Sequence, residues 1–203
     1  MNRKPFALLL TLLLALPAHA AELLDQVAQR LSANSVLHAD FAQTRQMAAL
    51  KKPLQLSGRM AFSREAGVVW QIAKPYSLTY AMTARGVTEI LPDGSRRERA
   101  ARDVPGIGSV DGLFRGLVSG DKALLQQHFV VAAQGSPQAW TLQLTPKAGP
   151  LQKAIRSAEL AGGAQLERVT LQETGGDSTV IRFSGIDTAR PLAADEQKLL
   201  GSR

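Results

Sequence analysis

Leu54-Gln55-Leu56-Ser57-Gly58-Arg59-Met60-Ala61-Phe62 carries the cleanest alternation in the chain. Leu54, Leu56, Gly58, Met60 and Phe62 share one parity, and the other is held mostly by polar residues. A period of two over this length predicts a strand with one face buried and one face wet. The same period continues outward on both sides. Downstream, Val68, Trp70 and Ile72 repeat it, then Leu78, Tyr80 and Met82 after the Lys74-Pro75 break. Gly86 to Leu91 follows, closed by the turn Pro92-Asp93-Gly94. Upstream of the Lys51-Lys52-Pro53 turn, Leu37, Ala39 and Phe41 alternate with polar residues as far as Arg45. Short strands joined by short turns predict an antiparallel meander.

The period then changes. Val110, Leu113, Phe114, Leu117, Val118, Leu124 and Leu125 fall on one helical face, with Gly120-Asp121 dividing the segment and Asp121 placed to cap a second short helix. Gly112, Gly116 and Gly120 each weaken such a helix by about 1 kcal/mol relative to Ala, which suits a cover that can move. Alternation resumes at Phe129–Ala132, Trp140–Thr145, Ala154–Leu160, Leu166–Glu173 and Thr179–Ser184, with Gly175-Gly176-Asp177 turning the last hairpin. At the other end, Leu23, Leu24, Val27, Ala28 and Leu31 recur at helical spacing until Ser32–Asn34. The expectation is a mainly β domain of about eleven strands, with one N-terminal helix and one helical insert. That many strands should curl strongly, leaving either an apolar groove under the helices or a core that the helices fill.

Residues 1–20 read as an export signal: Asn2-Arg3-Lys4 is basic, Phe6–Leu16 is apolar, and Pro17-Ala18-His19-Ala20 ends in the small-x-small cleavage pattern. The expected mature chain is residues 21–203, a single domain. Losing Arg3 and Lys4 lowers the formal charge from +7 to +5, spread without a basic groove, so nucleic acid is not an expected partner. The absence of cysteine excludes disulfides, a thiol nucleophile and N-terminal lipidation on Cys. Catalysis is not expected either. The mature part holds only His38 and His128, and Gly106-Ile107-Gly108 with Gly112 misses phosphate-loop spacing by one residue. No cofactor or metal is called for.

Phe41-Ala42-Gln43, then Gly58-Arg59-Met60-Ala61-Phe62-Ser63-Arg64-Glu65 ending in Val68-Val69-Trp70, resembles the LolA family of periplasmic carriers of outer-membrane lipoproteins. The order of elements matches over the whole mature chain, and the specific likeness lies in this segment. Glu65 stands where the family usually has Pro, Gly67-Val68 replaces bulkier residues, and Arg96–Arg102 is unusually basic. The chain also ends soon after its final hairpin. These departures resemble a divergent branch, some of whose relatives are encoded with machinery for polyene or other lipid pigments.

The resemblance implies an incomplete antiparallel barrel of eleven strands, with a helical lid over a cavity for acyl chains. It also implies cargo that is an acylated lipoprotein or other lipid, an inner-membrane release machinery, and an outer-membrane acceptor. A monomer is expected. A static lipid-binding or sensor module on the same fold is the alternative. Leu56, Met60, Phe62, Trp70, Ile72, Leu78, Tyr80 and Met82 are the expected cavity lining, with Leu113, Phe114 and Leu117 above them. Arg64 shares their parity, so an ideal strand points it at the apolar face, where its guanidinium needs acceptors. The resemblance gives it the role of a latch on carbonyls at the C-terminal ends of lid helices. A strand end at Ser63-Arg64 would instead turn it to solvent. Arg96, Arg97, Arg99 and Arg102 are expected on an exposed edge or loop, either a plain solvated surface or a candidate patch for an acidic partner or anionic headgroups.

Overall fold

The computed structural model describes residues 16–99 and 120–201. Eleven strands form one antiparallel sheet: β1 Val36–Gln46, β2 Leu54–Ser63, β3 Gly67–Lys74, β4 Leu78–Thr83, β5 Gly86–Ile90, β6 Arg96–Arg99, β7 Phe129–Ser136, β8 Ala139–Pro146, β9 Ile155–Gly162, β10 Leu166–Glu173 and β11 Ser178–Asp187. Their spatial order is β6-β5-β4-β3-β2-β1-β11-β10-β9-β8-β7. Two meanders therefore meet where the first strand pairs with the last, and β6 and β7 end the sheet without pairing to each other. The sheet is open.

Helix α1, Leu16–Ser32, begins upstream of the expected cleavage point and runs through it without a break. Leu23, Leu24, Val27 and Leu31 are buried, while Glu22, Asp25, Gln26 and Gln29 on the other side are exposed. Burying one such side chain is worth about 1.5–3 kcal/mol. These four residues join the odd-numbered residues of β1, Leu37, Ala39 and Phe41, and the alternating core residues of the other strands in one apolar cluster. The face of the sheet that carries this cluster is here called inner.

The outer face is not all wet, contrary to the single apolar face expected. Ala61 and Val69 are buried there against Leu200, with Ala66, Leu192 and Leu199 around them. Beyond the expected helices stand a short α3, Pro150–Ala154, and α4, Ala194–Leu200, which packs on β3 and β4 from outside. The chain does not simply stop after its last hairpin. Its tail covers part of the outer face.

Two glycines are fixed by close approach. β3 carries an extra residue, Ala73, between the pairs Ser57–Lys74 and Gly58–Ile72. That bulge brings the backbone of β3 onto β2, and a Cβ at residue 58 would sit 1.8 Å from the Gln71 carbonyl oxygen. Gly120 adopts φ +66°, and a Cβ there would meet the Ala28 carbonyl oxygen of α1 at 2.6 Å. Asp121 caps α2, Lys122–His128, as expected, its carboxylate accepting from the Leu124 N–H at 2.9 Å.

Candidate functional site

The inner face is floored by aromatics. Phe41 stacks on Trp70 with ring centroids 3.8 Å apart at 21°, and Phe183 meets Trp70 edge-on at 6.3 Å and 88°. Seven of the eight residues expected to line a cavity, Leu56, Met60, Phe62, Trp70, Ile72, Tyr80 and Met82, are buried in this cluster, and Leu78 is partly buried against it. They do share one face. α1 packs on that face, and among the described residues Leu31, Leu37, Met60, Leu166, Phe183 and Ile186 line a crevice of about 10 Å³, near the room of one water. Leu113, Phe114 and Leu117 lie outside the described residues.

The cover is held at its C-terminal end by polar bonds. Arg64 Nη2 donates to the carbonyls of Ser32, the last residue of α1, at 2.6 Å and of Asn34 at 3.0 Å. Helix-end carbonyls with no intrahelical partner are natural acceptors for a cation, and the helix dipole adds to the attraction. The expectation that Arg64 points into the apolar face fails, because β2 ends at Ser63 and parity no longer dictates direction beyond it. Arg64 is exposed, and it reaches the helix end over the rim. Arg30, in the last turn of α1, was missed in the sequence. Its Nη1 donates to the carbonyls of Pro137 and, at 3.2 Å, Gly163 in two hairpin turns. Asn34 bonds Gln165 at 3.0 Å, and Lys122 of α2 pairs with Asp25 on the exposed side of α1. A basic residue closing an amphipathic helix was the available signal.

Pairing splits the basic stretch. Arg96–Arg99 forms the exposed edge strand β6, with Arg97 opposite Glu89 and Arg99 opposite Val87. Arg97 and Arg99 thus share the inner side with buried Val87, and Arg96 takes the outer side, so these three arginines are not one patch. Arg102 lies outside the described residues. Arg99 bonds the carboxylate of Glu89, which is buried beside Tyr80. Burial foremost, then the Glu89 charge, pushes the Tyr80 hydroxyl up to about 12. His38 is buried on the outer face, its Nε2 2.9 Å from Glu196 of α4. His128 closes α2.

The family described as outer membrane lipoprotein carrier protein LolA-like matches residues 15–198. The chain belongs to this LolA-like family. An outer-membrane lipoprotein carrier protein of Dechloromonas aromatica is 31% identical over 186 residues, covering 90% of this chain and 85% of that protein. One of the same name from Cupriavidus taiwanensis is also 31% identical, covering 88% and 83%. A solved LolA superfamily protein from Nitrosomonas europaea shares the fold with TM-score 0.51 at 11% identity, over 87% of this chain and 96% of that one.

In this LolA-like chain the residues of the sequence resemblance come together in space. Phe41 and Trp70 stack, Gly58 accommodates the bulge, and Arg64 follows the end of the strand between them. The motif describes one region: the aromatic floor, and the rim where the cover is tied down.

Proposed function

We propose that this chain is a periplasmic carrier, exported by residues 1–20 and cut after Ala20. In this reading it takes the acyl chains of a lipoprotein or other lipid onto the inner face of the sheet and delivers them toward the outer membrane. The observation that carries the reading is the covering of that face. A broad apolar surface is closed by a helix tied at its rim rather than by strands, since the sheet stops at β6 and β7. Acyl chains and α1 compete for the same surface. Each methylene withdrawn from water contributes about 0.8 kcal/mol, enough over one chain to offset displaced helix contacts.

Loading and unloading then differ in what drives them. An inner-membrane release machinery supplies cargo with the cover displaced. An outer-membrane acceptor takes it, and the returning bonds of Arg64 and Arg30 favour the empty, closed form. No catalytic group is required, and the carrier works as a monomer. The test uses a fluorescent fatty-acid analogue. The wild-type protein should bind it, and Phe62→Glu, which places a charge on the inner face, should weaken binding at least tenfold. Transfer of bound analogue to acceptor vesicles separates a carrier from a static binding module. Binding untouched by Phe62→Glu refutes the inner face as the site.

A further inference from the structure

At one end of the apolar inner face lie polar groups that the packing does not use. Gln43 is 1% exposed and Thr179 0% exposed. Gln43 pairs with Leu56 on one side and Ile181 on the other, both core residues, which fixes its side chain on the inner face. Thr179 pairs with Leu171 and Arg45 and stands diagonal to Gln43, within reach of a shared ligand. Both polar atoms of the Gln43 amide, the Thr179 hydroxyl and the Arg45 Nε are buried without a hydrogen-bond partner among the described residues. Buried amides and hydroxyls are nearly always bonded, so three such side chains together point to a group that arrives from outside.

The charges around them select its class. Arg45 Nη2 is already held by Glu173 at 3.1 Å and Asp177 at 3.3 Å, two carboxylates for one guanidinium. That surplus of negative charge disfavours a carboxylate or phosphate at this end of the face, so a free fatty acid binds there through its chain and gains nothing from its head group. A neutral carbonyl suits the donors: the Gln43 NH₂, the Thr179 O–H and the Arg45 Nε–H. The Gln43 oxygen remains to accept from an amide N–H or a glycerol hydroxyl.

We propose that Gln43, Thr179 and the Arg45 Nε form a subsite for the ester or amide carbonyl that joins an acyl chain to its head group. The chain itself would lie along the aromatic floor of Phe41 and Trp70. This rests on the carrier reading and specifies what the carrier grips besides hydrocarbon.

The experiment compares three probes of equal chain length on the full mature chain: monopalmitoylglycerol, N-palmitoylethanolamine, and hexadecylglycerol, an ether without a carbonyl. The wild type should favour the ester and the amide over the ether by about fivefold, the worth of one net hydrogen bond. Gln43→Leu, close in volume and apolar, should bring the three to parity. It should also leave the empty protein as stable as the wild type or more so, which a merely structural glutamine would not do. Should Gln43→Leu fail to fold, Thr179→Val takes its place. Equal binding of all probes by the wild type overturns the subsite and leaves the carrier reading standing. So does an ester preference that survives both substitutions. Binding of no probe overturns both.

Discussion

Arg64→Leu is the sharpest test of how the cover is held. The arginine gives two charge-assisted bonds, at 2.6 Å to the Ser32 carbonyl and 3.0 Å to that of Asn34, at the negative end of α1. Fully buried, such bonds are worth about 1.5–3 kcal/mol each. Arg64 is exposed, so water and salt screen it, and roughly 1–2 kcal/mol of preference for the closed form is a sounder figure. That is a factor of about 5–30 in the ratio of closed to open protein. Removing it leaves the apolar face, and hence loading, intact while taking away part of what drives cargo out. Transfer from loaded protein to acceptor vesicles should slow by about that factor, and amide exchange in the last turn of α1 should quicken by the same factor. Arg64→Lys should recover part of the loss. Equal transfer rates, with exchange in α1 unchanged, would refute the latch.

Gly58→Ala should be costly although it adds one methyl group, because its Cβ would sit 1.8 Å from the Gln71 carbonyl. Relieving the clash means straightening the bulge, at a loss of about 2 kcal/mol or more and a fall in Tm of roughly 4–8 °C by thermal denaturation. Tyr80 should weaken the fold at high pH. Burial and the Glu89 charge hold its proton to about 12 when folded against 10.0 otherwise, so the stability this adds is complete below pH 10 and is lost as pH rises from 10 toward 12. Denaturant titrations at pH 9 and pH 11.5 should show this drop in the wild type and its absence in Tyr80→Phe.

Strands were legible where one face is dry and the other wet. Leu54 to Phe62 and Val68 to Ile72 announce themselves by parity, and all eight lining candidates fall on one face for that reason. Strand β6 was legible only as an exposed edge or loop, since Arg96–Arg99 is charged throughout and exposed on both sides. It exists because β5 offers it a ladder. Helix α4 was missed because Ala194–Leu200 is mostly polar, yet its seat had left a trace. Met60-Ala61-Phe62 and Val68-Val69-Trp70 are apolar on both parities, as expected of strands covered on both sides. Arg64 shows the limit of parity, which governs direction only as far as the strand runs. Gln43 was quoted as part of a motif, but only the paired neighbours on either side reveal that its amide is buried.

The pairing of β1 with β11 at the middle of the sheet has a consequence for how the molecule comes into being. The strand first to emerge in synthesis must wait for the last, and until then each meander ends in an unpaired edge next to an uncovered apolar surface. Contacts so distant along the chain form slowly, because the loop must close before they repay its entropy. For a chain proposed to cross a membrane before it folds, such delay is an advantage: the seam that gives the finished sheet its continuity cannot close until the last strand is through.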